Sequence, residues 1–203
     1  MAIKKSRKIF KPLVFLASLL PLAWLIFALY SDTVQGTKYL TIDPTQKLDR
    51  ELGDWALIFI ILSLSVRPLA EILKKGELVA YRRMLGLFAF FYVVLHFSAY
   101  LGLNLQLDID EFFKDITKRN FITIGIINVI LLTPLAITST KGMIKRLGGK
   151  RWQKLHMLIY PIALLGVFHF YMMIRADFSR PAIYFGVILL LLGYRLWVKW
   201  RKS

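Results

Sequence analysis

Residues 82–107 read RRMLGLFAFFYVVLHFSAYLGLNLQL, and this stretch decides the fold. Past the arginine pair, 84–107 holds no Asp, Glu, Lys or Arg, and its one titratable histidine is His96. A helix that crosses a bilayer needs about 20 apolar residues at about 1.5 Å rise each, and this block supplies them. Five further blocks have the same character. The first, 13–30, is uncharged and follows a basic N-terminus; 55–73 is weaker, with Arg67 and Glu71 near its end. Blocks 121–140 and 155–174 contain Pro134 and Pro161, each a candidate kink or change of winding. The last, 181–194, is short, and snorkelling of Arg195 and Lys199 lets Leu196, Trp197 and Val198 extend it. The expected fold is all-α, a polytopic membrane bundle of six transmembrane helices forming a single domain over 1–203.

Composition agrees. The chain has 203 residues, 57% of them hydrophobic, and a mean hydropathy of +0.57, too apolar for a soluble domain. A net charge of +16 would suggest nucleic acid in a soluble protein. Here the cations fall in short loops, so they report orientation in a lipid bilayer instead, and no nucleic-acid partner is expected. Segments 1–12, 67–83, 141–154 and 195–203 carry 20 of the 28 basic residues and 2 of the 12 acidic ones. The positive-inside rule then places both termini in the cytoplasm. With no cysteine, disulfides, thiolate metal sites, iron–sulfur clusters and covalent haem attachment are excluded. The first block is longer than a signal peptide's apolar region and lacks a convincing cleavage site after Tyr30, so it is expected to be retained. The connections 31–54 and 104–119 are too short to enclose a substrate, and no repeat or phosphate-binding glycine loop occurs. Chemistry therefore belongs inside the bundle or on a partner.

Three histidines, His96, His156 and His169, all lie in expected spans. Ionisable side chains at membrane depth are costly and mark function by default, although a neutral histidine can simply bridge two helices. Depth separates these readings. His96 stands 13 residues past Arg83, about 20 Å along the axis. His169 stands 15 residues past Lys154, about 22 Å by the same rise. Both helices start at the cytoplasmic face, so the imidazoles reach one level in the periplasmic half and could clasp a flat cofactor between them. A zinc site wants more ligands, and no acidic or sulfur ligand is expected nearby; haem asks for one or two axial ligands only. His156, 13 residues before His169, is rotated from it by about 220° on a regular helix. A second, inner haem would need a partner four turns before His96, where Arg82 and Arg83 stand. Arginine suits a haem propionate or a flavin phosphate rather than iron.

The stretches Arg82-Arg83-Met84-Leu85-Gly86-Leu87 running on to Leu95-His96, Ile137-Thr138-Ser139-Thr140, and Gly149-Lys150-Arg151-Trp152-Gln153-Lys154-Leu155-His156 resemble one family over essentially the whole chain. It is the MsrQ/YedZ family, the haem-binding membrane subunit of the periplasmic protein-methionine-sulfoxide reductase system, within the ferric-reductase-like transmembrane group. The resemblance implies b-type haem (one, with a second as an open alternative) and FMN. It implies electrons drawn from the quinone pool and passed to a periplasmic molybdopterin catalytic subunit of the MsrP type, which repairs oxidised methionines. By position, His96 and His169 resemble the axial pair of the outer haem, and His156 a ligand of the inner one. Two-haem relatives carry histidine near Arg82, a departure that leaves the inner iron site open. The chain ends at Ser203 without the cytoplasmic flavin and nicotinamide domains of many oxidases in the group. Its donor is then expected to be a quinol or a separate flavin reductase, and the substrate's catalytic site is expected on the partner.

Two other functions compete. A histidine-relay transporter or channel would be colourless, and there is no carboxylate in the third to sixth spans and no repeat with broken helices to favour it. A transmembrane metal reductase would draw cations to Asp108, Asp110, Glu111 and Asp115, residues that equally suit loop solvation.

Overall fold

The computed structural model describes residues 2–174 and 176–201, with side chains from Phe10 onward. The basic side chains of the first nine residues, Arg175 and Lys202, which contribute to the orientation signal, lie outside the described set. Helices run α1 (Ala2–Val34), α2 (Pro44–Ile72), α3 (Val79–Ala99), α4 (Ile109–Lys118), α5 (Asn120–Ile137), α6 (Lys141–Leu147), α7 (Gly149–His156), α8 (Ile159–Met173) and α9 (Ser179–Trp200). A 3₁₀ turn at Gly76–Leu78 leads into α3, and a π-turn at Tyr100–Asn104 continues it. No strand occurs among the described residues. Six segments are long and apolar enough to span a bilayer: Phe10–Val34, Pro44–Ile72, Gly76–Asn104, Asn120–Ile137, Gly149–Met173 and Ser179–Trp200. The protein is a multi-pass, all-helical membrane protein.

α2 packs along α3 and α5 along α8, while α9 lies against α8 and α2. The shared core runs through Leu25 and Ala28 of α1, Phe59 and Leu64 of α2, Ala89 and Tyr92 of α3, Ile162 and Ala163 of α8, and Ile188 of α9. Around it, Leu13, Phe27, Ile130, Phe168, Ile183 and Leu190 point outward uncovered. That belt would aggregate in water and is at home in acyl chains.

Three departures from the expected boundaries have local causes. α2 starts at Pro44 rather than residue 55, so much of the expected loop 31–54 is helix. Asp43 caps it, its side chain accepting from the Gln46 N–H at 3.0 Å, and Pro44 takes the first position, where a missing N–H costs nothing. Hydropathy hides this turn because Lys47 and Glu51 pair across it at 2.8 Å, while Asp49 and Asp54 turn inward and are buried. Helix α4 occupies the expected loop 104–119, capped by Asp108. The fifth span is broken at Met157–Leu158, between α7 and α8. Pro161 has no N–H for the Met157 carbonyl, which instead accepts from Tyr160 N–H at 3.1 Å. The winding between His156 and His169 is therefore not that of one regular helix.

α9 does extend past residue 194, but Arg195 does not snorkel. Its guanidinium turns into the bundle, donating to the Tyr160 hydroxyl at 2.6 Å and the Leu64 carbonyl at 2.7 Å. Both acceptors sit on neighbouring helices, and a neutral or backbone oxygen close at hand satisfies the cation more cheaply than a stretched path to water.

Candidate functional site

His96 on α3 and His169 on α8 lie side by side with ring centroids 6.2 Å apart and ring planes at 79°. Helices that start far apart in sequence thus deliver two imidazoles to one level. Each ring is held in the same way. Nδ1 of His96 lies 2.9 Å from the Asp49 carbonyl oxygen, and Nδ1 of His169 lies 2.7 Å from the Phe121 carbonyl oxygen. A carbonyl can only accept, so each Nδ1 carries the proton and donates it. In the neutral form of each ring Nε2 then keeps its lone pair free, the state a metal-binding imidazole needs.

The Asp49 carbonyl belongs to the second turn of α2 and the Phe121 carbonyl to the first turn of α5, and four residues after each stands a glycine: Gly53 after Asp49, Gly125 after Phe121. A Cβ on Gly53 would sit 3.2 Å from Cε1 of His96; on Gly125 it would sit 3.0 Å from Cε1 of His169. Each imidazole therefore lies flat against bare helix backbone one turn beyond the carbonyl that holds it. Neither glycine is conspicuous in the sequence. The signal available was a glycine four residues after the residue whose carbonyl holds the ring, which means nothing until the partner histidine is known.

This geometry suits a metal clasped from both sides. A metal–imidazole bond is about 2 Å long, and a bonding nitrogen lies about 1.1 Å from its ring centre. Two such ligands in line put their centroids about 6.3 Å apart, against the 6.2 Å found. No group of three or more His, Asp or Glu able to hold a bare ion occurs among the described residues. Two adjacent imidazoles without a third protein ligand match a porphyrin, which brings four nitrogens of its own.

The expectation that no acidic group lies nearby is corrected. Asp49 Oδ1 is 2.9 Å from His96 Nδ1, and Asp49 is only 7% exposed. It escaped notice because residues 44–54 were read as loop. The acids between Asp108 and Asp115, expected to attract cations, are largely committed. Asp108 caps α4 through the Glu111 N–H, Glu111 pairs with Lys114, and buried Asp115 accepts from the Tyr100 hydroxyl at 2.7 Å and pairs with Arg119 at 3.0 Å.

His156, Arg82 and Arg83 stand apart from this pair. Trp152 stacks on His156 at 4.0 Å between centroids and donates its indole N–H to the Thr138 carbonyl at 2.9 Å. His156 Nε2 lies 3.1 Å from Thr138 Oγ1, whose own proton goes to the Pro134 carbonyl at 2.6 Å. That hydroxyl can only accept from the histidine, so Nε2 is a donor here and Nδ1 holds the free lone pair. Arg82 is half-buried and Arg83 exposed. The Arg82 guanidinium lies within electrostatic reach of His156, Arg195, Arg67 and Tyr160, so cations gather at the end of the bundle opposite the histidine pair, with Glu71 paired to Arg67 there.

A family model described as "Ferric reductase like transmembrane component" matches residues 14–167. Several curated proteins are similar over nearly their full length. The protein-methionine-sulfoxide reductase heme-binding subunit MsrQ of Polaromonas naphthalenivorans is 45% identical over 196 residues, covering 95% of this chain and 86% of the relative. The protein of the same name from Rhodospirillum rubrum is 46% identical over 183 residues, covering 90% and 85%. That from Caulobacter vibrioides is 45% identical over 185 residues, covering 91% and 85%.

Proposed function

Because the chain belongs to the ferric-reductase-like transmembrane family, among its MsrQ haem-binding subunits of protein-methionine-sulfoxide reductase, we propose that it binds b-type haem between His96 and His169 and carries electrons across the bacterial inner membrane. The observation that carries this reading is the imidazole pair at 6.2 Å, each with Nδ1 committed to a backbone carbonyl. Haem, when bound, supplies a one-electron ferric/ferrous couple. The chain's own residues do the rest. His96 and His169 offer Nε2, the Asp49 and Phe121 carbonyls fix tautomer and ring angle, and Gly53 and Gly125 let the rings sit back against the helices. The apolar bundle keeps water from the site.

In this reading both termini are cytoplasmic and the histidine pair lies nearer the periplasm. The residues form one ferric-reductase-like domain over 1–203. A quinol, or a separate flavin reductase, donates from the membrane or the cytoplasmic side. A periplasmic molybdopterin subunit of the MsrP type accepts the electrons and reduces oxidised methionines. Arg82, Arg83 and His156 form the inner site. Its cations suit the phosphate of FMN or the propionates of a second haem, and His156 would have to leave Thr138 to offer Nε2 to iron.

Purified protein should show a Soret band and dithionite-reduced peaks of b-type haem. His96→Ala or His169→Ala should each remove most of that absorbance, read as pyridine haemochrome per mole of protein. Undiminished haem in the double variant would end this reading.

A further inference from the structure

The two axial positions are built alike in backbone and unlike in charge. Beside His169 stands Phe121, whose carbonyl receives the Nδ1 proton and whose ring lies 6.3 Å from the imidazole. Beside His96 the same place is held by Asp49, which adds a carboxylate to the carbonyl. Oδ1 lies 2.9 Å from Nδ1, is buried, and has no further hydrogen-bond partner among the described residues. Oδ2 is fixed by the Asn104 side-chain N–H at 3.3 Å. Asn104 closes the π-turn that follows α3, a register change of the kind that re-aims side chains at functional sites. One turn further along α2, Asp54 is also buried, but it has a cation, Arg180, at 2.9 Å. Asp49 pairs with no Lys or Arg among the described residues, and its Oδ1 has only the His96 N–H, which it shares with the Asp49 carbonyl. A buried carboxylate so sparingly matched is expensive, and such groups persist where something absent from the bare chain matches them.

Resting on the haem reading above, we propose that Asp49 is a positioning residue that makes His96 the more electron-rich axial ligand and holds the bound iron toward its ferric state. The reasoning is electrostatic. Ferric haem carries one more positive charge than ferrous, and a fixed carboxylate in a low-dielectric interior favours the form with that charge. A carboxylate behind a ligating histidine also raises the ligand's basicity, which acts in the same direction. One electron enters and one leaves; no proton moves and no bond is made at Asp49. Its effect is to make the site release electrons readily to an acceptor on the outer face.

The test is a redox titration of the full-length haem-loaded protein in detergent. Asp49→Asn keeps the shape and removes the charge. At fixed ambient potential it should move the ferrous-to-ferric ratio at least tenfold toward ferrous, about 59 mV for a one-electron couple. It should also shift the low-spin ferric EPR signal. Asp49→Glu should recover most of both changes, and Asp54→Asn should alter the ratio less than twofold. Phe121→Asp, which places a matching carboxylate behind His169, should move the ratio at least threefold toward ferric. An Asp49→Asn variant that retains haem with an unchanged ratio, or one displaced toward ferric, overturns the proposal. Should Asp49→Asn purify without haem, Phe121→Asp decides, and an unchanged ratio or a shift toward ferrous there overturns it. Protein whose haem survives His96→Ala with His169→Ala refutes the haem site itself; haem that needs both histidines but ignores Asp49 refutes only this inference.

Discussion

At the scale of single residues, the site is defined as much by missing atoms as by the imidazoles. The histidines were conspicuous because the chain has only three, and counting rise along two helices put two of them at one depth. Gly53 and Gly125 were invisible by that route, since a glycine declares its purpose only when the side chain lying against it is known. Gly125→Leu and Gly53→Leu should therefore each drive the adjacent ring off its carbonyl. We expect more than half of the haem to be lost while the far-ultraviolet circular dichroism stays unchanged. Gly125→Ala demands that the ring give way by a few tenths of an ångström from the 3.0 Å contact. It should retain haem with a broadened Soret band. Haem content per protein checks all three.

Within elements, proline sets where helices must be repaired. In α1, Pro21 interrupts the ladder, and the hydroxyl of fully buried Tyr92 is spliced in. It accepts from the Leu22 N–H at 3.2 Å and donates to the Ser18 carbonyl at 2.9 Å, two groups that pair directly in an unbroken helix. Tyr92→Phe leaves both without a partner in the bundle and should cost about 1–3 kcal/mol of stability, measured by unfolding in mixed micelles. In a Pro21→Ala background Leu22 and Ser18 can pair again, so the same substitution should cost less than half as much. A double-mutant cycle reads this coupling. In α2 the sequence signal was a conflict: charges read as loop, while Asp43-Pro44 reads as a helix start. Helix formation won because the charges divide between a surface ion pair and two inward carboxylates, a division that no hydropathy window separates.

For the whole molecule, the expected orientation makes a direct prediction. Single cysteines at positions 38 and 110 of this cysteine-free chain should label with an impermeant maleimide in intact cells. Those at 145 and 201 should label only after the membrane is broken; the reverse pattern would invert the assigned direction of electron flow. Six spans and the common depth of His96 and His169 could be read from the chain itself. Each follows from a local property, a run of apolar side chains or a count of rise per residue, which needs no knowledge of neighbours. The carbonyl–glycine seats behind both imidazoles, the inward turn of Arg195 and the carboxylate of Asp49 beside His96 came only from the packed bundle. They depend on which helix lies beside which, through contacts made between residues 35 to 131 positions apart, beyond the reach of any local pattern.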